Sequence, residues 1–160
     1  MSFPVNAFQT CLIESLSKGE FFAYGGEWYL AVDYVGATNG PKVSAIQVTS
    51  ASTPAGQTWV DPHPKDKVLR IAKPYSTMIF TEALPAAPTG QPGMPVTVGA
   101  EPILMAKLGY DEVLFTISGN RRPDKSDLVR PTQFSDWSLW IVKEGGTKVG
   151  NKPLFEVVSQ

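Results

Sequence analysis

Apolar and polar residues alternate along FFAYGGEWYLAVDYV, residues 21–35, on either side of a Gly25-Gly26 pair. The pattern predicts two antiparallel strands joined by a two-residue turn. Glycines at both tip positions supply the positive φ angles that a type I′ turn demands, and such turns match the twist of the flanking strands. The tip then sets the register. Tyr24 faces Glu27, Ala23 faces Trp28, Phe22 faces Tyr29 and Phe21 faces Leu30, because directly opposed residues share a face. One face carries Phe21, Ala23, Trp28, Leu30, Val32 and Tyr34, as a core face should. The other carries Glu20, Phe22, Tyr24, Glu27, Tyr29, Ala31 and Asp33, aromatics interleaved with carboxylates where a solvated face would be plainly polar. That second face needs at least a partial cover.

Before the hairpin, Asn6 followed by Gln9 resembles a capping box, and Phe8, Leu12 and Leu16 recur at helical spacing until Gly19. This predicts a short amphipathic helix over about residues 7–17. After the hairpin, VSAIQVTS, QTWV and KVLRIAKPYSTMIFTEA read as strands, the last divided in two by Pro74. The segment from Pro85 to Pro95, PAAPTGQPGMP, holds prolines at 85, 88, 92 and 95. It continues neither a helix nor a central strand, and is expected to be a linker or an extended arm. EPILMAKLGYDEVLFTISG then predicts a helical turn or two ending near Gly109 and a strand from Glu112 to Ser118. A polar loop follows. WSLWIVKEGGTKVGNKPLFEVVSQ closes as a second hairpin, with Trp137 and Trp140 on opposite sides of one strand.

Many short strands with frequent turns describe one all-β or β-dominated α+β domain over residues 1–160. The expected form is an antiparallel barrel or sandwich with a short N-terminal helix and a long Pro/Gly-rich arm at 85–95. Composition agrees. Gly and Pro number 14 each and charged residues make up 18%, below the roughly 25% of an ordinary domain. A formal net charge of -1 gives no global attraction to nucleic acid or to an acidic membrane. The N-terminal stretch has no positive residue before Lys18 and lacks the regions of a signal peptide, and no run is long enough to cross a membrane as a helix. These features suit synthesis in the cytoplasm.

Candidate chemistry is sparse. The single Cys11 excludes an intrachain disulfide and any cysteine cluster. His63, the one histidine, lies in WVDPHPKDK two residues from Asp61, an arrangement with the composition of a base dyad but no nucleophile motif nearby. Glu20, Glu27 and Asp33 are the carboxylates beside the aromatic face, yet the register separates Glu27 at the turn from the other two. Arg121 and Arg122 follow SGN in a loop whose amides are candidates to help hold an anion. No phosphate-binding loop, dinucleotide motif, EF-hand or metal-ligand spacing occurs in the sequence, so no cofactor is expected.

The residues that call for explanation are therefore apolar: the aromatic second face, Trp140, and the segment around Met94. The expectation is a non-enzymatic structural subunit of a larger complex, such as a phage head or tail component, contacting other protein subunits through Phe22, Tyr24, Tyr29, Trp140 and Met94, with Arg121 and Arg122 as further surface candidates. Two alternatives stand beside it. One is a monomeric β-domain that binds a carbohydrate or another small ligand on Phe22, Tyr24 and Tyr29. The other is a small hydrolase using Asp61 and His63 or the hairpin carboxylates.

Overall fold

A computed structural model describes residues 3–36, 42–49, 56–81, 95–98, 101–122, 132–133 and 137–157. These residues build three antiparallel sheets. The first contains β1 (Phe8–Leu12), β2 (Phe21–Tyr24), β3 (Glu27–Asp33), β4 (Val43–Gln47), β5 (Thr58–Trp59) and β6 (Lys67–Ile71), in the order β1-β6-β2-β3-β4-β5. The third contains β7 (Ser76–Thr81), β13 (Trp137–Val142) and β14 (Phe155–Val157), with β13 in the middle. Between them in sequence lie β8 (Pro95–Val98), β9 (Glu101–Leu108), β10 (Asp111–Thr116), β11 (Arg121–Arg122) and β12 (Thr132–Gln133), ordered β11-β10-β9-β8-β12 in the second sheet. The sheets do not close into a barrel, so of the two expected architectures the closed one is excluded.

Each sheet turns one face to a common core. Phe21, Leu30, Val32, Ile46 and Val48 come from the first sheet and the residue that follows it, Leu104, Ala106, Val113 and Phe115 from the second, and Trp137 and Leu139 from the third. Burial of such side chains stabilises the fold by roughly 1.5–3 kcal/mol each. The β5 edge of the first sheet is also tied to the central strand of the second, β9. Lys107 donates its amide to the Gly56 carbonyl at 2.7 Å beside a parallel bridge between Gln57 and Lys107.

The N-terminal segment is not a helix. Val5–Ala7 and Ile13–Ser15 are single 3-10 turns, and between them β1 pairs with β6, Phe8 opposite Ile71 and Leu12 opposite Lys67. A recurrence of four residues, as from Phe8 to Leu12, fits a helical stripe and a period of two equally. Pairing with β6 decides between them. The expected helical turns before Gly109 are likewise a strand. In β9, Leu104 and Ala106 face the common core while Ile103 and Met105 are buried on the opposite face with Leu114. A strand buried on both faces reads as an unbroken apolar run with no period to identify it.

Elsewhere the expected strands are present. Pro74 separates β6 from β7, and β13 pairs with β14 as the closing hairpin. Met94 and all of the Pro85–Pro95 segment except Pro95, which opens β8, lie outside the described residues.

Candidate functional site

The first hairpin has the register that its glycine tip dictates. Gly25 and Gly26 take φ angles of 59° and 85°, and Tyr24–Glu27, Ala23–Trp28, Phe22–Tyr29 and Phe21–Leu30 are opposed. Its second face is covered largely by the chain itself. Ile13 and Leu16, in the 3-10 connection between β1 and β2, cross over it and pack with Phe22, Ala31, Val43, Ala45 and Val68. Backbone bonds hold this cover in place: the Ile13 amide donates to the Asp66 carbonyl at 3.0 Å and the Glu14 amide to the Pro64 carbonyl at 3.1 Å. Phe22 is fully buried beneath it. Its expected place on an exposed contact or stacking surface is therefore withdrawn: a side chain enclosed by the cover presents nothing to a ligand or to a second protein.

What stays accessible is the turn end of this face. The Phe22 ring stacks on Tyr29 with centroids 5.4 Å apart, Tyr29 meets Trp59 of β5 at 5.7 Å, and Trp59 meets Tyr24 at 5.1 Å. Tyr24 is 37% exposed. The Tyr24 hydroxyl donates to Asp66 Oδ2 at 3.3 Å, and the Asp66 charge, with partial desolvation and this bond, raises the phenol above its ordinary value. Burial first, then the charges of Glu27 and Tyr24, raise Tyr29 as well. Both phenols are thus neutral hydrogen-bond donors over the physiological range. Trp59 was missed as a partner of these rings because the link runs through pairing of β4 with both β3 and β5, which no local signal specifies.

The hairpin carboxylates do not converge. Glu20 Oε2 accepts the Ser17 amide at 2.6 Å, with Arg70 3.6 Å from its other oxygen. Glu27 accepts the Thr49 hydroxyl at 2.6 Å, and Thr49 in turn accepts the Trp28 amide. Asp33, at the far end of β3, binds the Lys18 ammonium at 2.9 Å and the Arg121 amide at 2.8 Å. Partial burial pushes Asp33 up, but the Lys18 hydrogen bond, the Arg121 amide and the Lys18 charge together hold it below its ordinary value. Each carboxylate is committed to a separate structural partner, an arrangement unlike the facing pair of a glycoside-cleaving site.

Asp61 and His63 are not a pair either. Asp61 accepts the Tyr34 hydroxyl at 2.5 Å, whereas His63 is largely exposed, with Nδ1 accepting the Lys65 amide at 3.3 Å and lying 4.0 Å from Asp66. The amides ahead of Arg121 are also committed. Gly119 donates to the Thr116 carbonyl, Asn120 to the Thr116 hydroxyl and Arg121 to Asp33. The anion this loop holds is the chain's own carboxylate.

Trp140 lies on the outer face of the third sheet, opposite Met78 and edge-on to Phe80 at 6.3 Å. The Lys148 ammonium sits 4.0 Å above the Phe80 ring and 3.9 Å above Trp140. Met78 is 42% exposed. Among the described residues, no group of three or more histidine, cysteine, aspartate or glutamate side chains is placed to hold a metal ion, and no helix is long and apolar enough to cross a membrane. No protein-family model, curated protein or solved structure matches the chain.

Proposed function

We propose that this chain is a non-enzymatic structural subunit that works by associating with other protein subunits, through the outer face of the third sheet. The observation that carries the reading is the apolar surface formed there by Met78, Phe80 and Trp140. Interfaces favour aromatic and methionine side chains, and Met78, Phe80 and Trp140 supply them here, with Glu156 of β14 on the same face. The aromatic hairpin face, which first pointed the same way, contributes less, because Ile13 and Leu16 already cover it. A repeating assembly such as a phage head or tail is a setting that suits such a subunit, and the neighbouring genes would test that. Association itself is tested by light scattering over a wide concentration range, alone and in the native extract. A protein monomeric throughout would end the proposal.

A second reading has its own observation. Tyr24 and Trp59 place two partly exposed rings 5.1 Å apart beside the Asp66 carboxylate, a combination suited to stacking on a sugar and accepting from its hydroxyls. Titration of tryptophan fluorescence with a panel of oligosaccharides tests it, with Trp59→Ala as the control that must abolish any response.

A further inference from the structure

The three sheets present six edges, and they differ in what they offer another strand. β5, β11 and β12 are two residues long, and β14 is three with Glu156 at its centre. Short or charged edges resist pairing. β1 has five uncharged residues, but its exposed side chains, Gln9 and Thr10, are polar. β7 is different. Its six residues, STMIFT, include no charge, proline or glycine, and among the described residues it pairs on one side only, with β13. Among the described residues, no backbone hydrogen bond reaches its other side. An uncharged, one-sided strand flanked by an apolar face has the features that strand addition requires: free main-chain groups for affinity and side chains beside them for specificity.

We propose that β7 is where a second copy of this chain docks, edge to edge and antiparallel about a two-fold axis, so that the third sheets of two copies become one continuous sheet. The inference rests on the assembly reading above and names its partner. Self-pairing is argued from the strand's own pattern. Opposed residues must share a face, so a symmetric pairing can be centred on a residue but not between two. Centred on Ile79, it sets Met78 of each copy against Phe80 of the other and Thr77 against Thr81. A thioether against an aromatic ring and a β-branched pair both stabilise neighbouring strands. No charge meets its like, because β7 carries none. Lys148 is held over the Phe80 and Trp140 rings, on the face of the sheet.

The test combines sedimentation velocity over a dilution series with cysteine cross-linking. Met78 is exposed enough to accept a lysine without burying its charge, and thermal unfolding checks that each variant folds. The wild type should associate into even-numbered species, Met78→Lys should weaken that association at least tenfold, and Ile79→Cys in a Cys11→Ser background should form a disulfide-linked dimer under mild oxidation. Tyr110→Cys, on a fully exposed turn, should not. A wild type that associates while Met78→Lys associates equally and Ile79→Cys fails to cross-link overturns the β7 proposal and leaves the assembly reading standing. A wild type that is monomeric at every concentration overturns both.

Discussion

Replacing Gly119 by alanine tests how tightly the first hairpin is clasped to the turn between β10 and β11. Gly119 has a φ of +87°, and a Cβ there would lie 2.7 Å from the Ala31 carbonyl oxygen, 2.7 Å from the Gly19 nitrogen and 2.8 Å from Lys18 Cβ. The first two are backbone atoms, unable to rotate aside. They belong to a ladder of their own, in which Gly19 donates to Ala31 at 2.8 Å and Asp33 donates to Gly119 at 2.7 Å. A left-handed backbone costs a non-glycine residue about 1 kcal/mol. Forced separation of packed backbone adds about 1–3 kcal/mol, and a weakened hydrogen bond about 1 kcal/mol more. Gly119→Ala should therefore destabilise the protein by about 3–5 kcal/mol. Gly25→Ala is the matched control, with a φ of +59° and nothing within 4 Å of the added carbon; it should cost only about 1 kcal/mol. The loss of unfolded-state freedom is common to both and cancels. Urea unfolding followed by tryptophan fluorescence measures the difference, and the two melting temperatures should be separated by roughly 5–15 °C. Costs that agree within about 0.5 kcal/mol would refute the argument, since the close approach would then have no energetic consequence.

Other side chains give equally direct tests. Ile13→Ala removes the cover from the second hairpin face at a fully buried position and should cost about 2–5 kcal/mol in the same unfolding assay; a loss below about 1 kcal/mol would mean that the segment is not a true cover. Because Asp33 is held below its ordinary value of 3.8 in the folded protein, its contribution to stability is present above about pH 4 and is lost as pH falls through the folded-state value. Asp33→Asn should therefore lose less stability than the wild type on acidification below about pH 4, and parallel stability profiles for the two proteins would refute this. Lys148→Ala removes an ammonium from above two rings; it should lower stability by about 1 kcal/mol and shift the emission of Trp140, and emission identical to the wild type would argue against the contact in solution.

How much of this was legible from residues alone depends on how far apart the interacting residues lie. The hairpin register follows from a two-glycine tip, and the alternation that puts Trp137 in the core and Trp140 on the outer face is equally local. The cover over Phe22 is not local. Ile13 and Leu16 come from before the hairpin, Val68 and Trp59 from well after it, and only the strand order β1-β6-β2-β3-β4-β5 brings them together. The same holds at Arg121, whose amide is bound by Asp33, 88 residues earlier. Aromatic residues that look like surplus in one hairpin are therefore largely a core whose other half lies elsewhere in the chain. Applied to the third sheet, that lesson reaches the opposite result. The far side of β13 is already occupied by Leu139, Trp137 and the common core, and the Lys148 ammonium lies over the rings of Phe80 and Trp140. Met78, which no sequence pattern singled out, remains exposed beside them on the strand that, among the described residues, forms the edge of the sheet. Among the described residues the second hairpin face keeps only its turn end open at Tyr24, whereas Met78 stands exposed beside the Phe80 and Trp140 rings of the third sheet, and it is there that a partner should be sought.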